Sequence, residues 1–282
     1  VSTPHPPRDV QEAEARVLAI LAAHPGGGVV ALSGGGDSAL VLDLAVAAYG
    51  PAFVVAATSR SEGLPTEELA DARAQAARCA VPHVALAGTE VDIEAFRRNG
   101  PDRCFHCKFH LYGEMRELAA ERGLPRVLDG TNADDEGDHR PGLAAADRHG
   151  VLSPLRDAGL GKVWVRALAR ARGLDTWDKP ADACLASRFP YGTEIGRQDL
   201  ARVQRAERVL RDLGFRTLRV RFHDPVARIE VPLEEIPALL APGVRERVVE
   251  GLREEGFTWV SVDLEGFRSG SLNEPLRPAA RS

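Results

Sequence analysis

The chain has 282 residues, enough for about two domains at roughly 150 residues each. With 44% hydrophobic and 27% charged residues it can bury an ordinary core, which excludes a disordered tail. Its 36 basic and 41 acidic residues leave a net charge of −5, a poor balance for a general nucleic-acid coat. No apolar run approaches the roughly 18 residues that span a bilayer. The opening VSTPHPPRDV lacks the apolar stretch of a signal peptide and reads as a Pro-rich leader, so a soluble cytoplasmic protein is expected. Only three of the basic residues are lysines, Lys108, Lys162 and Lys179, and that arginine excess carries no functional weight by itself.

Residues 10–23 have apolar positions at helical spacing, and Gly26–Gly28 close that helix. VVALS (29–33) is a continuous apolar run, as in a strand buried on both faces. SGGGDS follows, and ALVLDLAVAAYG then reads as a helix. FVVAATS (53–59) is a second buried strand. Thr66, Glu67 and Glu68 open a helix to about Cys79. HVALAG (83–88) is a third strand, residues 105–122 a helix, and VLDG (127–130) a fourth strand. Another helix covers 163–173. Strands alternating with helices predict a parallel sheet wrapped by helices, with ligands at the carboxyl ends of the strands. From about Asp175 the rhythm breaks into a long loop, DTWDKPADACLASRFPYGTEI, of a length that usually carries function. A helix at 197–213 follows. TLRVRFH and VARIEV then alternate like half-buried antiparallel strands, and two short helices and FTWVSVDL complete a small α+β unit.

Ser33, Gly34, Gly35, Gly36, Asp37 and Ser38 lie between a buried strand and a helix. Glycines let the backbone turn tightly and aim N–H groups at an anion, and the helix N-terminus adds a favourable dipole. Ser33 and Ser38 add hydroxyl donors. Asp37 would repel a phosphate unless a divalent cation lay between them, which suggests Mg²⁺. The absence of Gly-Lys-Ser/Thr excludes a Walker A loop, and the glycine spacing fails the dinucleotide fingerprint.

Cys104 and Cys107 form Cys-Phe-His-Cys at a helix start, a place that favours thiolates. The gap suits two ligands of one metal or cluster, and Cys184 in the long loop is the candidate third. Three arrangements follow. One is a [4Fe–4S] cluster with one iron left open. A second is a CxxC redox pair beside a catalytic Cys184. The third is Zn²⁺ with His106 or His110 as fourth ligand. Cys79 late in an amphipathic helix reads as core. The acidic run Asp129–Asp138 follows the fourth strand, and Asn132 and Asp135 are its candidates for holding Mg²⁺ or orienting a substrate. Arg219 and Arg221 share one strand face, where two guanidinium forks suit a phosphate or carboxylate. From pattern alone, a solvent-facing charged strand accounts for them equally well.

SGGGDS after a buried strand resembles the PP-loop ATP pyrophosphatases, which hold the β- and γ-phosphates of ATP in that loop and transfer AMP to a carboxylate or ring carbonyl. RCFHCK (103–108), DGTNADDEGDHRPG (129–142), SPL (153–155), KPADACLASRFPYGTEI (179–195) and LRVRFH (218–223) narrow the likeness to the LarE family of ATP-dependent sulfur transferases in nickel-pincer nucleotide biosynthesis. The resemblance covers residues 10–265. It implies an adenine-nucleotide α-hydrolase-like parallel sheet with flanking helices; the change of rhythm sets the boundary near residues 180–195, which gives a PP-loop domain over 1–185 and a small α+β substrate-binding or oligomerisation domain over 186–282. It implies a nucleotide substrate, pyridinium-3,5-biscarboxylic acid mononucleotide, whose carboxylate is adenylated by ATP and converted to a thiocarboxylate. By motif, Ser33–Ser38 bind pyrophosphate, Asp37 binds Mg²⁺, and Ser187, Arg188, Glu207, Arg219 and Arg221 hold the substrate. Glu207 could equally be a helix-surface charge. Cys184 matches the sulfur-bearing cysteine of the family. Members with three cysteines are thought to carry sulfur on a [4Fe–4S] cluster, here through Cys104, Cys107 and Cys184, reloaded from a sulfur source. A homo-oligomer without nucleic-acid or membrane partners is expected. The alternatives are a tRNA thiolase, an amide-forming ligase, or a nucleotide-binding scaffold that releases no pyrophosphate.

Overall fold

The computed structural model describes residues 5–137, 141–180 and 183–276. Asp138–Arg140 of the acidic run and Ala181–Asp182 of the KPADACLASR run lie outside the described residues. In chain order the elements are α1 (Val10–Ala22), β1 (Gly28–Ala31), α2 (Gly36–Tyr49), β2 (Val54–Arg60), α3 (Thr66–Arg78), β3 (His83–Ala87), α4 (Glu94–Arg97), α5 (Arg103–Glu121), β4 (Val127–Leu128), α6 (Pro141–His149), α7 (Pro154–Asp157), α8 (Lys162–Ala171), α9 (Arg197–Asp212), β5 (Arg219–His223), β6 (Val226–Glu230), α10 (Ile236–Leu239), α11 (Val244–Glu254) and β7 (Trp259–Val262). They divide into two units, residues 1–90 with 102–182, and residues 91–101 with 183–282.

The first unit holds a four-stranded parallel sheet in the order β3-β2-β1-β4. Period-two alternation along buried strands sends neighbours to opposite faces. Val30 and Ala56 join a core with Val17 and Leu21 of α1, Leu40 and Leu44 of α2, and Leu168 of α8. Val29 and Val55 join another with Tyr112 and Met115 of α5 and Ala145 of α6. Apolar runs with no polar alternation are thus explained by helices on both sheet faces. The chain leaves β1 toward β2 and β3, then returns to place β4 on β1's other side. The switch point therefore lies between β1 and β4.

Several boundaries shift by a few residues from those expected of the sequence, and two of the shifts bear on the candidate site. α2 begins at Gly36, inside the Gly-rich loop, so Asp37 and Ser38 belong to its first turn. α5 begins at Arg103, which brings Cys104 as well as Cys107 into the helix.

In the second unit β5 and β6 form the expected antiparallel pair, and β7 adds to β6 in parallel. Leu200, Val203 and Leu210 on one face of α9 are buried, as are Val220 and Phe222 of β5. Phe189 stacks on Phe222 with ring centroids 4.6 Å apart. Residues 91–101 return to this unit through Asn99, which is fully buried and left-handed at φ 53°. Asparagine tolerates that conformation better than most residues. Its amide donates to the carbonyls of Pro190 (2.8 Å) and Thr193 (2.9 Å). No described helix is long and apolar enough to cross a membrane.

Candidate active site

The loop at the end of β1 is shaped by its own hydroxyls. Ser38 Oγ accepts from the Ser33 amide at 3.2 Å and donates to the Gly35 carbonyl at 3.1 Å. Gly34 has φ +87°, and a Cβ there would sit 2.4 Å from the Glu68 carbonyl oxygen. A Cβ on Gly36 would sit 2.8 Å from the Thr176 carbonyl oxygen, and one on Gly130 2.7 Å from the Ser38 nitrogen. These glycines are therefore demanded by close backbone approach as well as by the turn. α2 has no side-chain cap at Gly35. The leading N–H groups of a helix have no acceptor within it, so this end offers donors and dipole to an anion.

Asp37 faces the loop that follows β4. Asn132 is fully buried and its Nδ2 donates to Asp37 Oδ2 at 2.9 Å. Asp135, also buried, accepts from the Asn132 amide at 3.0 Å. The structure thus brings Asp37, Asn132 and Asp135 together at the switch point, with Asp135 bracing the turn that presents Asn132. Asp129 is taken up internally, accepting from Tyr112, Thr131 and Ser153. Burial, with the Asp129 carboxylate alongside, pushes the Tyr112 hydroxyl well above its ordinary value.

Two lysines missed by sequence reasoning complete this arrangement. Lys162 Nζ lies 2.5 Å from Asp37 Oδ2. Lys179 Nζ donates to the Gly34 carbonyl at 3.1 Å and pairs with Glu68 (2.7 Å) and Asp71 (2.6 Å). Burial lowers the Lys179 pKa, but the hydrogen bonds that the ammonium donates to Asp71 and Glu68 outweigh it and hold it above its ordinary value. Gln75 Nε2 also donates to the Gly34 carbonyl, at 2.8 Å.

Cys104 is exposed and Cys107 half-buried on the first turns of α5. Both imidazoles considered as zinc ligands have other partners, His106 with Asp102 at 3.0 Å and His110 with Thr89 at 2.8 Å. Within each unit, no three described His, Cys, Asp or Glu side chains are grouped as metal ligands. Cys79 is half-buried against the first core, as expected.

The second unit carries Cys184, exposed at the start of the turn Leu185–Arg188. Two buried arginines hold that turn. Arg188 makes a bidentate pair with Glu207 (2.7 and 3.0 Å), and both side chains have no solvent exposure. Its Nη1 donates to the Ala183 carbonyl at 2.5 Å and to Ser187 Oγ at 3.1 Å. Arg221 pairs in the same way with Glu230 (2.8 and 2.9 Å) and donates to the Ser187 carbonyl at 2.7 Å. Glu207 also accepts from the Val220 amide at 3.0 Å, so it is an interior strut rather than a helix-surface charge. Arg219 is buried, lies over the Phe267 ring at 4.4 Å and donates to the Arg268 carbonyl at 3.2 Å. The Arg219/Arg221 strand face is thus an interior face, not a solvated one. In this conformation Arg188, held by Glu207, and Arg221, held by Glu230, each fix the Cys184 turn.

A parallel α/β sheet flanked by helices, with a Ser/Gly loop at its switch point, is an α/β architecture consistent with the PP-loop fold. No family model matches the chain. Pyridinium-3,5-bisthiocarboxylic acid mononucleotide synthase of Lactiplantibacillus plantarum is 41% identical over 253 residues, 89% of this chain and 90% of that protein. The chain belongs to the family of that synthase, the LarE family. An uncharacterized protein of Synechocystis sp. is 42% identical over 88% of this chain and 92% of its own. Another, from Methanocaldococcus jannaschii, is 28% identical over 64% of this chain and 69% of its own.

Proposed function

We propose that this protein is an ATP-dependent sulfur transferase of nickel-pincer nucleotide synthesis. In this reading it adenylates a carboxylate of pyridinium-3,5-biscarboxylic acid mononucleotide and converts it to a thiocarboxylate. The observation that carries the reading is the glycine cradle at the N-terminus of α2 with Asp37 in its first turn. A carboxylate is a poor electrophile, and adenylation gives it a good leaving group. Its oxygen bonds to the α-phosphorus of ATP, the bond to the β-phosphate oxygen breaks, and pyrophosphate departs with the electron pair. The amides of the Ser33–Ser38 loop would hold that pyrophosphate. Asp37, a hard oxygen donor, fits Mg²⁺ with Asn132 orienting it, and the ion when bound would neutralise phosphate charge.

Sulfur must then meet the acyl carbon. The Cys184 thiolate would attack it and release AMP; loss of the Cys184 Cα proton to solvent base, with its electron pair forming a Cα=Cβ bond as the Cβ–S bond breaks, would then leave the thiocarboxylate on the product and dehydroalanine in the chain. In the alternative route Cys184 is not consumed: Cys104 and Cys107, soft donors one turn apart at a helix N-terminus, would hold two corners of a [4Fe–4S] cluster, with Cys184 the third ligand that the sequence resemblance implies. Such a cluster, when bound, would supply replaceable sulfide. Ser187 stays with the substrate in this reading. The burial of Arg188, Glu207 and Arg221 favours positioning of the Cys184 turn over direct substrate contact, and that of Arg219 favours packing on Phe267. A small-molecule nucleotide, ATP and a sulfur source are the partners, and a homo-oligomer is expected as in the sequence reading.

The test is pyrophosphate release and thiocarboxylate formation by wild type, Asp37→Ala and Cys184→Ala. Asp37→Ala is expected to stop pyrophosphate release. Cys184→Ala is expected to keep ATP binding and lose thiocarboxylate. Product from Cys184→Ala at wild-type yield would remove Cys184 from the mechanism. Anaerobic iron and sulfide analysis separates the two sulfur routes. A bound cluster indicates a reloadable enzyme. Its absence after reconstitution, with loss of the Cys184 sulfur in intact mass, indicates a sacrificial one.

A further inference from the structure

After β7 the described chain adds no further strand to the second unit's sheet. Residues 264–276 carry one 3₁₀ turn, Ser271–Leu276, and reach the strand face that presents Arg219 and Arg221. Gly266 begins the approach with φ +69°, and a Cβ there would fall 2.9 Å from the Val231 carbonyl oxygen. The Phe267 amide donates to that carbonyl at 2.8 Å, and its ring lies against the Arg219 guanidinium. Arg219 Nη1 donates to the Arg268 carbonyl at 3.2 Å, and Arg221 Nη2 donates to Ser271 Oγ at 2.8 Å. Tyr191, just beyond the Cys184 turn, donates to Asn273 Oδ1 at 2.9 Å. The acids of the segment turn elsewhere, Glu265 and Glu274 pairing with Arg268 at 2.7 and 3.0 Å. What the segment brings to Arg219 and Arg221 is a carbonyl, a hydroxyl and a ring.

A carbonyl and a hydroxyl are neutral acceptors. A phosphate monoester is a stronger acceptor for the same donors, because both partners are then charged. The two oxygens also come as a pair. They belong to residues three apart in one turn, and they meet guanidinium groups that alternate on one strand face. A phosphate carries its oxygens on one centre and so has acceptors for both donors. We propose that residues 264–276 are a displaceable latch. Closed, they occupy donors of Arg219 and Arg221 in place of a phosphate monoester, which binds there only by turning them out. The inference rests on the mononucleotide reading above and adds a gate to it. Displacement uncovers Arg219, whose burial the latch itself helps to supply. Arg221 gives up its bond to Ser271 and keeps Glu230 and the Ser187 carbonyl, so the Cys184 turn stays held. Gly266 and Gly270, at φ +69° and +80°, flank Phe267 and Arg268 and give the swing its loop hinges. The energy of opening is taken from binding, so apparent affinity falls with the fraction of molecules whose latch is open.

Hydrogen exchange read by mass spectrometry tests this on the full-length protein, with inorganic phosphate and the pyridinium dicarboxylate mononucleotide as separate probes. In wild type the mononucleotide is expected to speed exchange over 264–276 several-fold while 219–223 stays protected. Phe267→Ala is expected to exchange fast over 264–276 without ligand and to bind the mononucleotide several-fold more tightly by calorimetry. Arg219→Gln is expected to show no ligand-dependent change over 264–276. If Phe267→Ala melts below the assay temperature, the Ser271→Ala/Asn273→Ala variant takes its place. Slower exchange over 264–276 on binding overturns the proposal, since the segment would then close over the ligand instead of yielding to it. So does unchanged exchange with both probes, or a loosened variant that binds no more tightly. If phosphate opens the segment and the mononucleotide does not bind, the latch stands and the mononucleotide reading fails.

Discussion

Four cysteines in one chain invite a single treatment, but their surroundings separate them. Cys104 and Cys184 are exposed, whereas Cys79 is half-buried against the core of the first unit. Burial, with Asp43 nearby, pushes the Cys79 thiol above its ordinary value and so reduces its thiolate fraction at neutral pH. Iodoacetamide mapped by mass spectrometry should therefore modify Cys104 and Cys184 first and Cys79 last. Labelling of Cys79 at the rate of Cys184 would contradict its placement as core. This division was legible in part. The amphipathic pattern of residues 66–79 assigned Cys79 to the interior, and CxxC and ACLASR marked the others as chemical. Lys162 was not legible, because its meaning lies in an Asp37 carboxylate 125 residues away.

At the scale of elements, the second unit turns on two buried ion pairs that tie β5, β6 and α9 to the Cys184 turn. Arg188 and Glu207 are closed off from solvent and satisfied by each other. Removing one member of such a pair strands the other charge in a medium that cannot solvate it. Glu207→Ala should cost about 3–5 kcal/mol of stability by urea denaturation. A loss under about 1 kcal/mol, the worth of an exposed pair, would mean that solvent reaches Arg188. Period-two alternation placed Arg219 and Arg221 on one strand face. It could not say that the face is interior, since burial of an arginine depends on where its glutamate arrives. Glu230, the partner of Arg221, sits on the neighbouring strand and drew no notice in the sequence, although the hairpin itself was legible. The phosphate-type loop was read closely because its glycines act locally, through a positive φ at Gly34 and a helix start at Gly36.

At the scale of the molecule, each unit carries one histidine held below its ordinary pKa of 6.5. Burial is the leading cause for both. Arg73 adds to it at His83, and Arg228 and Arg221 add to it at His223. Between the lowered folded value and 6.5, the unfolded chain binds more protons than the folded one. Stability therefore rises with pH through that window and falls as the solution is acidified below about 6.5. Thermal melts between pH 7.5 and pH 5.5 should show this decline, and the His83→Gln/His223→Gln double variant should flatten it. An equal slope in the variant would assign the acid sensitivity to other groups.

Sequence alone determined the α/β class, the parallel sheet in the first unit, the hairpin in the second, the Ser33–Ser38 loop and the prominence of Cys104, Cys107 and Cys184. Those features rest on local rules, namely side-chain period, turn chemistry at glycine and helix-end signals, which operate over a few residues. Tertiary structure alone decided that Asp37 meets Lys162, that Asn99 returns residues 91–101 to the second unit, and that Arg188 and Arg221 are interior struts. Each of those depends on a partner brought near by chain topology. A charged side chain carries no local sign of whether it will be solvated by water or by a carboxylate from a distant element.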